Sequence, residues 1–521
     1  MSSEVEKIIE FKIHRFDPQR KRQYVSRFEV PVRKGTTLLD ALMYIKDNFD
    51  ETLAFRHSCR MGVCGSCGIM VNGSPMLACY TQVLHLETDS VVLEPLQRMP
   101  VIKDLVVDIQ PFFDMYNRIK TTLVKPEDEL RKPDEFIQAP AELKRFWDLT
   151  LCIKCSICHS ACPAAMDERF LGPSTYTTNY RFISDSRDGG LEARLEPMAD
   201  NVWLCTSCHS CTLFCPKDVD CSSSIVEEHS LMVETGAIPR TVKDILTSVL
   251  KYHNPMGTHP SKRMEWAKDL EIKTFPTVTK ADVLYFAGCS PAYDPRNQEI
   301  ARSMASIFKT LGTDFATLGT EEWCCGDHIL RLGEKGLFEL LAEHNTSMFE
   351  KFDANRIVTL SPHCYNTFKN DKPYSDVGLQ VQHYTQFIAD AIANNQLKLS
   401  RSVDKRVAYH DPCFLGKRNE IFDAPRHILE SLPGLELVEM KRTRENSFCC
   451  GGGAGRVWTE DAPSEKRPCV DRVREALELG VGVIATACPF CITTLEDAVK
   501  VLDVENKIEV EDILELLGEA T

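Results

Sequence analysis

The cysteines are the residues of this sequence most able to do chemistry, because they occur in tight groups with regular spacing. The chain has 23 cysteines among 521 residues. A disulfide framework is typical of short secreted chains, whereas clustered thiols in a long chain without a secretion signal favour metal binding. The spacings of the cysteines therefore indicate candidate sets of metal ligands.

The first set places three thiols on one short stretch and a fourth downstream. Its spacing is Cys59-x4-Cys64-x2-Cys67, followed by Cys79. This is the plant-type arrangement that holds a [2Fe–2S] cluster. Zinc prefers two CxxC-like pairs, which this spacing does not supply. The set predicts a [2Fe–2S] cluster.

Two further sets each repeat the run C-x2-C-x2-C-x3-C-P of bacterial ferredoxins. In such proteins the fourth cysteine of one run ligates the cluster of the other run. We expect two [4Fe–4S] clusters, held by Cys152, Cys155, Cys158 and Cys215 and by Cys205, Cys208, Cys211 and Cys162. Such clusters transfer electrons and require no catalytic side chain of their own.

The carboxyl-terminal half of the chain carries a duplicated cysteine pattern with a repeat of about 125 residues. The second copy is complete and has five candidate ligands, which we predict to be catalytic: Cys413, Cys449, Cys450, Cys488 and Cys491. The first copy has four candidate metal ligands: Cys289, Cys324, Cys325 and Cys364. Ser361 stands where its fifth cysteine belongs.

The two copies predict different metal sites. Five thiols exceed what zinc needs, and adjacent Cys449 and Cys450 cannot both point at one small cubane. The second copy therefore favours an iron–sulfur cluster over zinc, and five ligands can support a cluster larger than a cubane. For the first copy an iron–sulfur cluster, zinc and no stable metal all stay open, with His363 as a possible substitute ligand.

Three residues near these sets are expected to be structural. Cys221 and Cys469 fit none of the spacings, so we expect them to pack in the core. His410, which precedes Asp411, is also more typical of a structural histidine than of a catalytic one.

The elements that must position these cysteines indicate an α+β multidomain protein. Residues 5–108 read as a β-grasp [2Fe–2S] domain, with one capped helix and an Asn72-Gly73 turn between short strands. Residues 140–240 read as a helical ferredoxin domain. Residues 281–396 and 405–521 alternate short apolar strands with amphipathic helices, which predicts two α/β domains with parallel strands. Residues 254–280 read as a linker.

Composition narrows the function. The net charge is −15, so a nucleic-acid partner is not expected. The sequence has no apolar run of 18 or more residues and no signal peptide, so we expect no membrane span and a cytoplasmic location.

The amino-terminal half resembles the iron–sulfur subunits of succinate dehydrogenases and fumarate reductases. The resemblance covers about residues 5–240 and rests on RHSCRMGVCGSCGIMVNG, EPLQRMPVIKDLVVD, FLGPSTYTTNYRFISDSRDGG and the two ferredoxin runs. It implies a separate flavoprotein partner that contains FAD and interconverts fumarate and succinate. This chain would conduct electrons to or from that partner.

Three departures from that family argue against a quinone partner. Cys208 is present where most members lack a cysteine and hold a [3Fe–4S] cluster, so the resemblance predicts [4Fe–4S] here. Residues 164–166 are Ala-Ala-Met where quinone-reactive members carry a tryptophan. Thr206 replaces a histidine that those members often have.

The carboxyl-terminal half resembles the duplicated CCG domain of the heterodisulfide reductase catalytic subunit. There, five cysteines hold a non-cubane [4Fe–4S] cluster that reacts with the disulfide of coenzyme M and coenzyme B. The two halves fused in one chain are similar to the thiol:fumarate reductases of methanogenic archaea. The resemblance implies that this chain oxidises both coenzyme thiols and passes electrons through its clusters to the FAD subunit, which reduces fumarate.

Three other functions stay open. The chain could serve a succinate:quinone reductase in which the CCG half is a quinone or membrane module. It could belong to a glycolate-, lactate- or glycerol-phosphate-type flavin dehydrogenase, although those chains lack the [2Fe–2S] domain. In a third alternative the CCG half is only a zinc scaffold.

Overall fold

The computed structural model describes residues 5–131, 135–378, 380–459 and 466–521. The chain forms two compact units. The first comprises residues 1–202 and 209–228, and the second comprises residues 203–208 and 229–521. The short segment 203–208, which contains half of the second ferredoxin run, therefore belongs to the carboxyl-terminal unit.

The first unit begins with a five-stranded sheet crossed by one helix. The strands are β1 (Lys7–Asp17), β2 (Arg22–Val32), β3 (Gly68–Val71), β4 (Ser74–Leu77) and β5 (Ser90–Glu94), in the order β2-β1-β5-β3-β4. Strands β1 and β5 are parallel neighbours, while β1–β2 and β3–β4 are antiparallel. A small antiparallel hairpin follows, made of β6 (Val101–Lys103) and β7 (Val106–Val107). The β-grasp prediction is confirmed.

Local sequence signals define the crossing helix and the hairpin turn. Helix α1 (Leu38–Asn48) begins after Thr37, whose side chain accepts a hydrogen bond from the amide of Asp40 in a capping box. Its apolar side chains are buried against the sheet. Asn72 and Gly73 both have positive φ, as a type I′ turn between β3 and β4 requires.

Short helices make up the rest of the first unit. They are α2 (Gln110–Asn117), α3 (Glu127–Leu130), α4 (Pro140–Lys144), α5 (Ile157–Ala161), α6 (Pro173–Ile183), α7 (Leu191–Leu195) and α8 (Ser210–Leu213). Helix α9 (Cys221–Glu234) carries the chain into the second unit. The cysteines of the ferredoxin runs lie on loops and short helices, and all except Cys205 and Cys208 belong to this part of the chain.

The second unit contains two parallel sheets. The first has strands β8 (Lys273–Thr274), β9 (Lys280–Phe286), β10 (Phe315–Thr317), β11 (Asp353–Thr359) and β12 (Val381–His383), in the order β12-β11-β9-β10-β8. The second has β13 (Arg406–His410), β14 (Glu436–Val438), β15 (Val483–Thr486) and β16 (Glu509–Asp512), in the order β14-β13-β15-β16. All their pairings are parallel, as the sequence predicts.

Helices connect and cover these strands. They are α10 (Arg240–Tyr252), α11 (Cys289–Tyr293), α12 (Pro295–Thr310), α13 (Asp327–Arg331), α14 (Lys335–Lys351), α15 (Pro362–Asn370), α16 (Tyr384–Ala393), α17 (Gly416–Asn419), α18 (Asp423–Ser431), α19 (Pro468–Glu478), α20 (Pro489–Val501) and α21 (Ile513–Ala520). Parallel sheets connected in this way place functional loops at the carboxyl ends of the strands.

The stretch expected to be a linker, residues 254–280, is instead part of the second unit's core. It contributes the edge strand β8 to the first parallel sheet. Trp266 is buried and packs edge-on against Tyr285 of β9. The guanidinium of Arg263 is buried in an ion pair with Glu322. The linker predicted from the proline and charge content of this stretch is therefore wrong, because packing against distant residues determines its structure.

No helix among the described residues is both long enough and apolar enough to cross a bilayer.

Candidate iron–sulfur sites

The loop predicted to hold the [2Fe–2S] cluster turns its backbone amides toward its own sulfurs. The amides of Met61, Val63 and Cys64 donate to the Cys59 Sγ at 3.5, 3.3 and 3.3 Å. These hydrogen bonds lower the pKa of Cys59 to about 6. The amide of Gly62, where φ is +68°, donates to the Cys79 Sγ at 3.3 Å. Hydrogen bonds to ligand sulfurs are one means of tuning a cluster's potential.

The four thiols predicted for the first [4Fe–4S] cluster lie together in the first unit. Cys152, Cys155, Cys158 and Cys215 line one enclosed cavity. Burial, followed by the charge of Cys158, raises the pKa of Cys152 to about 11. Thiols that face one cavity and lie close enough to influence one another suit a metal cluster, which binds them as thiolates.

The [2Fe–2S] loop and the first ferredoxin run are in direct contact. A Cβ atom added to Gly65, where φ is +73°, would lie 2.9 Å from the Cα atom of Cys155. Only glycine permits so close an approach between the two loops. The contact brings the predicted ligands of two clusters into neighbouring positions within one unit.

The two ferredoxin runs share an unusual backbone conformation. Lys154 and Ser156 in the first run have φ of 52° and 61°. The equivalent residues of the second run, Ser207 and His209, have φ of 50° and 69°. Left-handed non-glycine residues are uncommon, so their recurrence at matching positions supports one shared ligand-binding geometry. The crossed ligand sets inferred from the spacing stay a prediction.

Cys221 lies closer to the chemistry than its sequence position suggests. It is buried with Cys158 and Cys211, and its thiol is hydrogen-bonded to the thiols of both. These interactions, with burial, raise its pKa well above the usual range. Spacing rules could not detect this cysteine because it belongs to no motif. It packs in the core as predicted, but beside predicted ligands of two clusters.

Two predicted cluster ligands, Cys205 and Cys208, lie in segment 203–208 of the carboxyl-terminal unit. Cys208 forms a buried cluster with Cys413, Phe414 and Cys449. The thiol of Cys208 is hydrogen-bonded to that of Cys449, which contributes to the lowered pKa of Cys449. A predicted cubane ligand thus touches two predicted ligands of the complete CCG set.

The complete set assembles at the carboxyl ends of strands in the second parallel sheet. Its five predicted ligands, Cys413, Cys449, Cys450, Cys488 and Cys491, are all buried. Their thiols form a continuous chain of contacts, in which Cys491 Sγ lies 3.3 Å from Cys450 Sγ. The incomplete set, Cys289, Cys324, Cys325 and Cys364, is likewise buried and in mutual contact. The structure therefore brings together both sets of the duplicated cysteine pattern.

The glycine of each CCG triplet has the same role in both copies. Gly326 and Gly451 have φ of 87° and 91°, which favours glycine. Their amides donate to the Sγ atoms of Cys324 and Cys449, at 3.4 and 3.2 Å. The duplication has preserved this hydrogen bond even though the first copy lacks one cysteine.

His410 provides a test of whether the complete set fits a cluster. Arg472 Nε donates to His410 Nδ1 at 3.0 Å, so the proton of the neutral ring is on Nε2. Burial, followed by the charge of Arg472, lowers the pKa of His410 to about 3. Its Nε2 is buried and has no hydrogen-bond partner among the described residues.

A ring nitrogen of His410 lies within 4.8 Å of the thiols of Cys450 and Cys491. A sulfur-rich cluster held by these thiols would give the orphaned N–H an acceptor, so the donor set fits such a group. The equivalent residue in the first copy is Phe286, which has no N–H to offer. The structural role expected for His410 stays a prediction, and its position beside two candidate ligands also makes it a candidate donor to the group they would hold.

His363 contacts the complete set and not only its own. Its Nδ1 lies 2.6 Å from Asp327 Oδ2, and its ring is also hydrogen-bonded to Cys488. Burial opposes protonation, but Asp327 and Cys488 together raise the pKa of His363 to about 10. Burial likewise opposes ionisation of Cys488, yet hydrogen bonds with Cys491 and His363 lower its pKa to about 5. Sequence reasoning considered His363 only as a ligand in the first copy.

Comparison with protein families identifies the same parts. Residues 10–114 match the 2Fe-2S iron-sulfur cluster binding domain. Residues 148–219 match the 4Fe-4S dicluster domain. Residues 283–369 and 407–496 each match the cysteine-rich domain. The chain is therefore an α+β multidomain protein with a duplicated cysteine-rich domain.

Similar proteins cover all or part of the chain. An uncharacterised iron–sulfur protein of Methanocaldococcus jannaschii is 30% identical over 98% of this chain and 99% of its own length. A fumarate reductase (CoM/CoB) subunit from Methanothermobacter marburgensis is 29% identical over 98% of this chain and 99% of that one. A probable iron–sulfur-binding oxidoreductase of Bacillus subtilis is 36% identical over 62% of this chain, but the match spans only 46% of the relative.

The matches to the two archaeal proteins cover 98% of this chain and therefore span all three domain types. The chain belongs to the family of iron–sulfur oxidoreductase subunits that includes the CoM/CoB fumarate reductase subunit of Methanothermobacter marburgensis.

Proposed function

We propose that this chain oxidises the thiols of coenzyme M and coenzyme B to their heterodisulfide. Oxidation of two thiols to one disulfide releases two electrons and two protons. The electrons pass to a separate FAD-containing flavoprotein subunit, where two electrons and two protons reduce fumarate to succinate. The proposed location is cytoplasmic.

The contact of Cys208 with Cys413 and Cys449 is the observation that carries this proposal. Cys208 belongs to a ferredoxin run, whereas Cys413 and Cys449 belong to the complete cysteine-rich set. A cysteine-rich domain that acted only as a zinc scaffold would have no need to touch a cluster ligand. A thiol-oxidising site that feeds an electron chain requires such proximity.

The bound clusters would supply one-electron transfer, since a [2Fe–2S] and two [4Fe–4S] clusters have no other chemistry to perform here. The protein positions them through buried thiols and directed amides. In the second cysteine-rich domain, five thiols with the His410 N–H suit a non-cubane [4Fe–4S] cluster. Four thiols in the first domain suit a further cluster or zinc.

The surface around the [2Fe–2S] loop supports a protein partner. The side chains of Met61, Val63 and Tyr80 are 68%, 55% and 67% exposed. All three are apolar or aromatic and belong to the loops that carry Cys59, Cys64 and Cys79. Exposed apolar groups at the predicted exit of an electron chain are typical of a docking surface. We assign this surface to the flavoprotein subunit.

The test is an anaerobic assay of the purified complex with fumarate and both thiols. We expect succinate and heterodisulfide in equal amounts, and no heterodisulfide when either thiol is omitted. A parallel assay replaces the thiols with a reduced quinone. Succinate formed from the quinol but not from the thiols would contradict the proposal and favour the succinate:quinone alternative.

A further inference from the structure

An acid–imidazole pair from the first cysteine-rich domain reaches into the site of the second. Asp327 begins α13 directly after the Cys324-Cys325-Gly326 triplet, and His363 lies in the first turn of α15. His363 Nδ1 and Asp327 Oδ2 are 2.6 Å apart, and both residues are buried. The other end of the imidazole meets Cys488, the first cysteine of the CxxC pair in the second domain.

The carboxylate of this pair is held in place from several sides. Thr367 Oγ1 donates to Asp327 Oδ1 at 3.2 Å, and Arg331 Nε lies 3.4 Å from the same oxygen. Arg331 also pairs with Asp371 at 2.6 Å. Because both carboxylate oxygens have donors, Asp327 is oriented before any group binds at Cys488.

The imidazole is clamped between two rings. The ring of Phe414 lies 4.0 Å from that of His363, with an interplanar angle of 30°. The ring of His328 lies 4.6 Å from that of His363, at 23°. The clamp and the bond to Asp327 leave Nε2 as the atom that faces the Cys488 sulfur. With a carboxylate at Nδ1 and a thiolate at Nε2, the ring carries both protons and donates from each nitrogen. A hydrogen bond fixed in this way is pre-organised.

Asp327, His328 and His363 also lie close enough together to suggest a metal site. The hydrogen bonds argue against one. The amide of Gly455 donates to His328 Nδ1 at 2.9 Å, so the ring proton sits on Nε2 and leaves no lone pair there. Both oxygens of Asp327 are already engaged. The trio is a hydrogen-bonded group and not an ion site.

The two copies of the duplication differ at these positions in a complementary way. The first copy has Ser361 in place of a cysteine but carries Asp327 and His363. The second copy has the cysteine, Cys488, but carries Gly452 and Phe490 at the two equivalent positions. Each copy therefore lacks what the other supplies to one shared site.

We propose that the first cysteine-rich domain serves the second by donating a hydrogen bond from the Asp327–His363 pair to the Cys488 sulfur. His363 is a positioning residue that holds this ligand and raises the reduction potential of the group bound there. The physical reason is that an N–H donor stabilises the extra negative charge of the reduced state. The inference rests on the proposed cluster at Cys488.

The experiment is a redox titration of the full-length chain, loaded with iron and sulfide, followed by electron paramagnetic resonance and iron analysis. His363→Phe, which copies Phe490 of the second domain, should shift the midpoint potential of the cysteine-rich-domain signal to more negative values. Asp327→Asn should shift it in the same direction. His363→Gln keeps a side-chain N–H and should restore part of the shift. Asp376→Asn is the control, because it neutralises an exposed carboxylate that pairs with Lys372 and not with Arg331.

The outcomes separate this inference from the proposed function. A fully loaded His363→Phe chain with an unchanged potential overturns the inference and leaves the proposed function standing. Iron loss from His363→Phe that His363→Gln repairs supports the positioning role. Iron loss that is equal in both His363 variants and in the Asp376→Asn control overturns it, since only the fold is then affected. Absence of any such signal from the unsubstituted chain overturns the proposed cluster and the inference with it.

Discussion

The Sγ atom of Cys449 lies 3.7 Å from the Oγ1 atom of Thr206. Cys449 belongs to the second cysteine-rich domain, and Thr206 lies between two cysteines of a ferredoxin run. Arg418 reinforces the contact by donating to the carbonyl oxygen of Ser207 at 2.8 Å. The ferredoxin segment 203–208 is therefore docked onto the domain in which we place thiol oxidation.

Gly453 permits this docking, and its replacement should weaken it. A Cβ atom at residue 453 would lie 2.2 Å from the Thr206 carbonyl oxygen, so Gly453→Ala must displace the segment. We expect thiol-dependent fumarate reduction to fall by roughly 10- to 100-fold, the scale seen for misplacements of about 1 Å. Dye-driven fumarate reduction should persist, because the dye donates further along the electron chain.

Gly482→Ala is the control for that experiment, because no atom lies within 4 Å of its added Cβ. Equal loss of thiol-dependent activity in the two variants would show that segment 203–208 is not the electron path.

Cys208 should complete the second cubane as its fourth ligand. The oxidised, substrate-free chain should then show no stoichiometric [3Fe–4S] signal in electron paramagnetic resonance. Cys208→Ser should produce such a signal, because the iron at that corner loses its thiolate. The added thiolate also lowers the potential of the unsubstituted cluster, since reduction adds further negative charge. A [3Fe–4S] signal already present in the unsubstituted chain would show that Cys208 is not a ligand.

Much of this architecture is predictable because its signals are local. Alternating strands, the capping box at Thr37 and the Asn72-Gly73 turn each need only a few neighbouring residues. The parallel sheets are predicted by the alternation of short strands and helices within each copy of the repeat. Ligand spacing also indicates each cysteine set, because at least two members of every set lie near one another in sequence.

The relationships that sequence reasoning missed are long-range. His363 meets Cys488, and Cys208 meets Cys413, across 125 and 205 positions of the chain. No periodicity links such pairs, since their approach depends on how two repeats and a ferredoxin loop pack. Trp266 shows the same limit, because it is buried within a stretch whose composition resembles a linker.

Asp512 should make the stability of the second unit depend on pH. Burial raises the pKa of Asp512 to about 8, and Tyr384 donates to its Oδ1 at 2.7 Å. Between its ordinary pKa of 3.8 and pH 8, the folded state keeps a proton that the unfolded state has lost. Stability must therefore fall as pH rises through this range.

Asp512→Asn mimics the protonated acid and should flatten that dependence. We would measure the denaturant midpoint at pH 5 and pH 8.5 for both chains at equal metal content. The unsubstituted chain should lose more stability between the two values than the variant does. Equal pH dependence in both chains would show that Asp512 titrates normally.

Ser361→Cys tests the metal of the first cysteine-rich domain. Ser361 is buried and caps α15, where its Oγ accepts a hydrogen bond from the amide of His363 at 3.3 Å. The substitution costs about 1 kcal/mol for the lost cap but restores the fifth thiol. If the native site holds an iron–sulfur cluster on four thiolates, iron content should rise. Unchanged iron together with one zinc per chain in the native protein would eliminate the second-cluster assignment.

Cys450→Ser should separate thiol oxidation from fumarate reduction. Cys450 is buried, contacts Cys491 at 3.3 Å and lies beside His410. We expect the oxidised native chain to give a paramagnetic signal when thiol substrate is added. Because the substitution removes one of the five thiols, the variant should lose both this signal and heterodisulfide formation. Reduction of fumarate by an artificial dye should survive, because those electrons bypass the cysteine-rich domains.

Cys469→Ser is the matched control, since Cys469 is a buried cysteine outside every predicted set and should leave both activities near native values. The contrary outcome is that Cys450→Ser abolishes both activities in a folded protein while the control retains both. That result would show that thiol oxidation and electron transfer do not reside in separate parts of the chain. Retention of heterodisulfide formation by Cys450→Ser would instead exclude Cys450 from the thiol-oxidising site, because a five-thiolate group cannot form there without it.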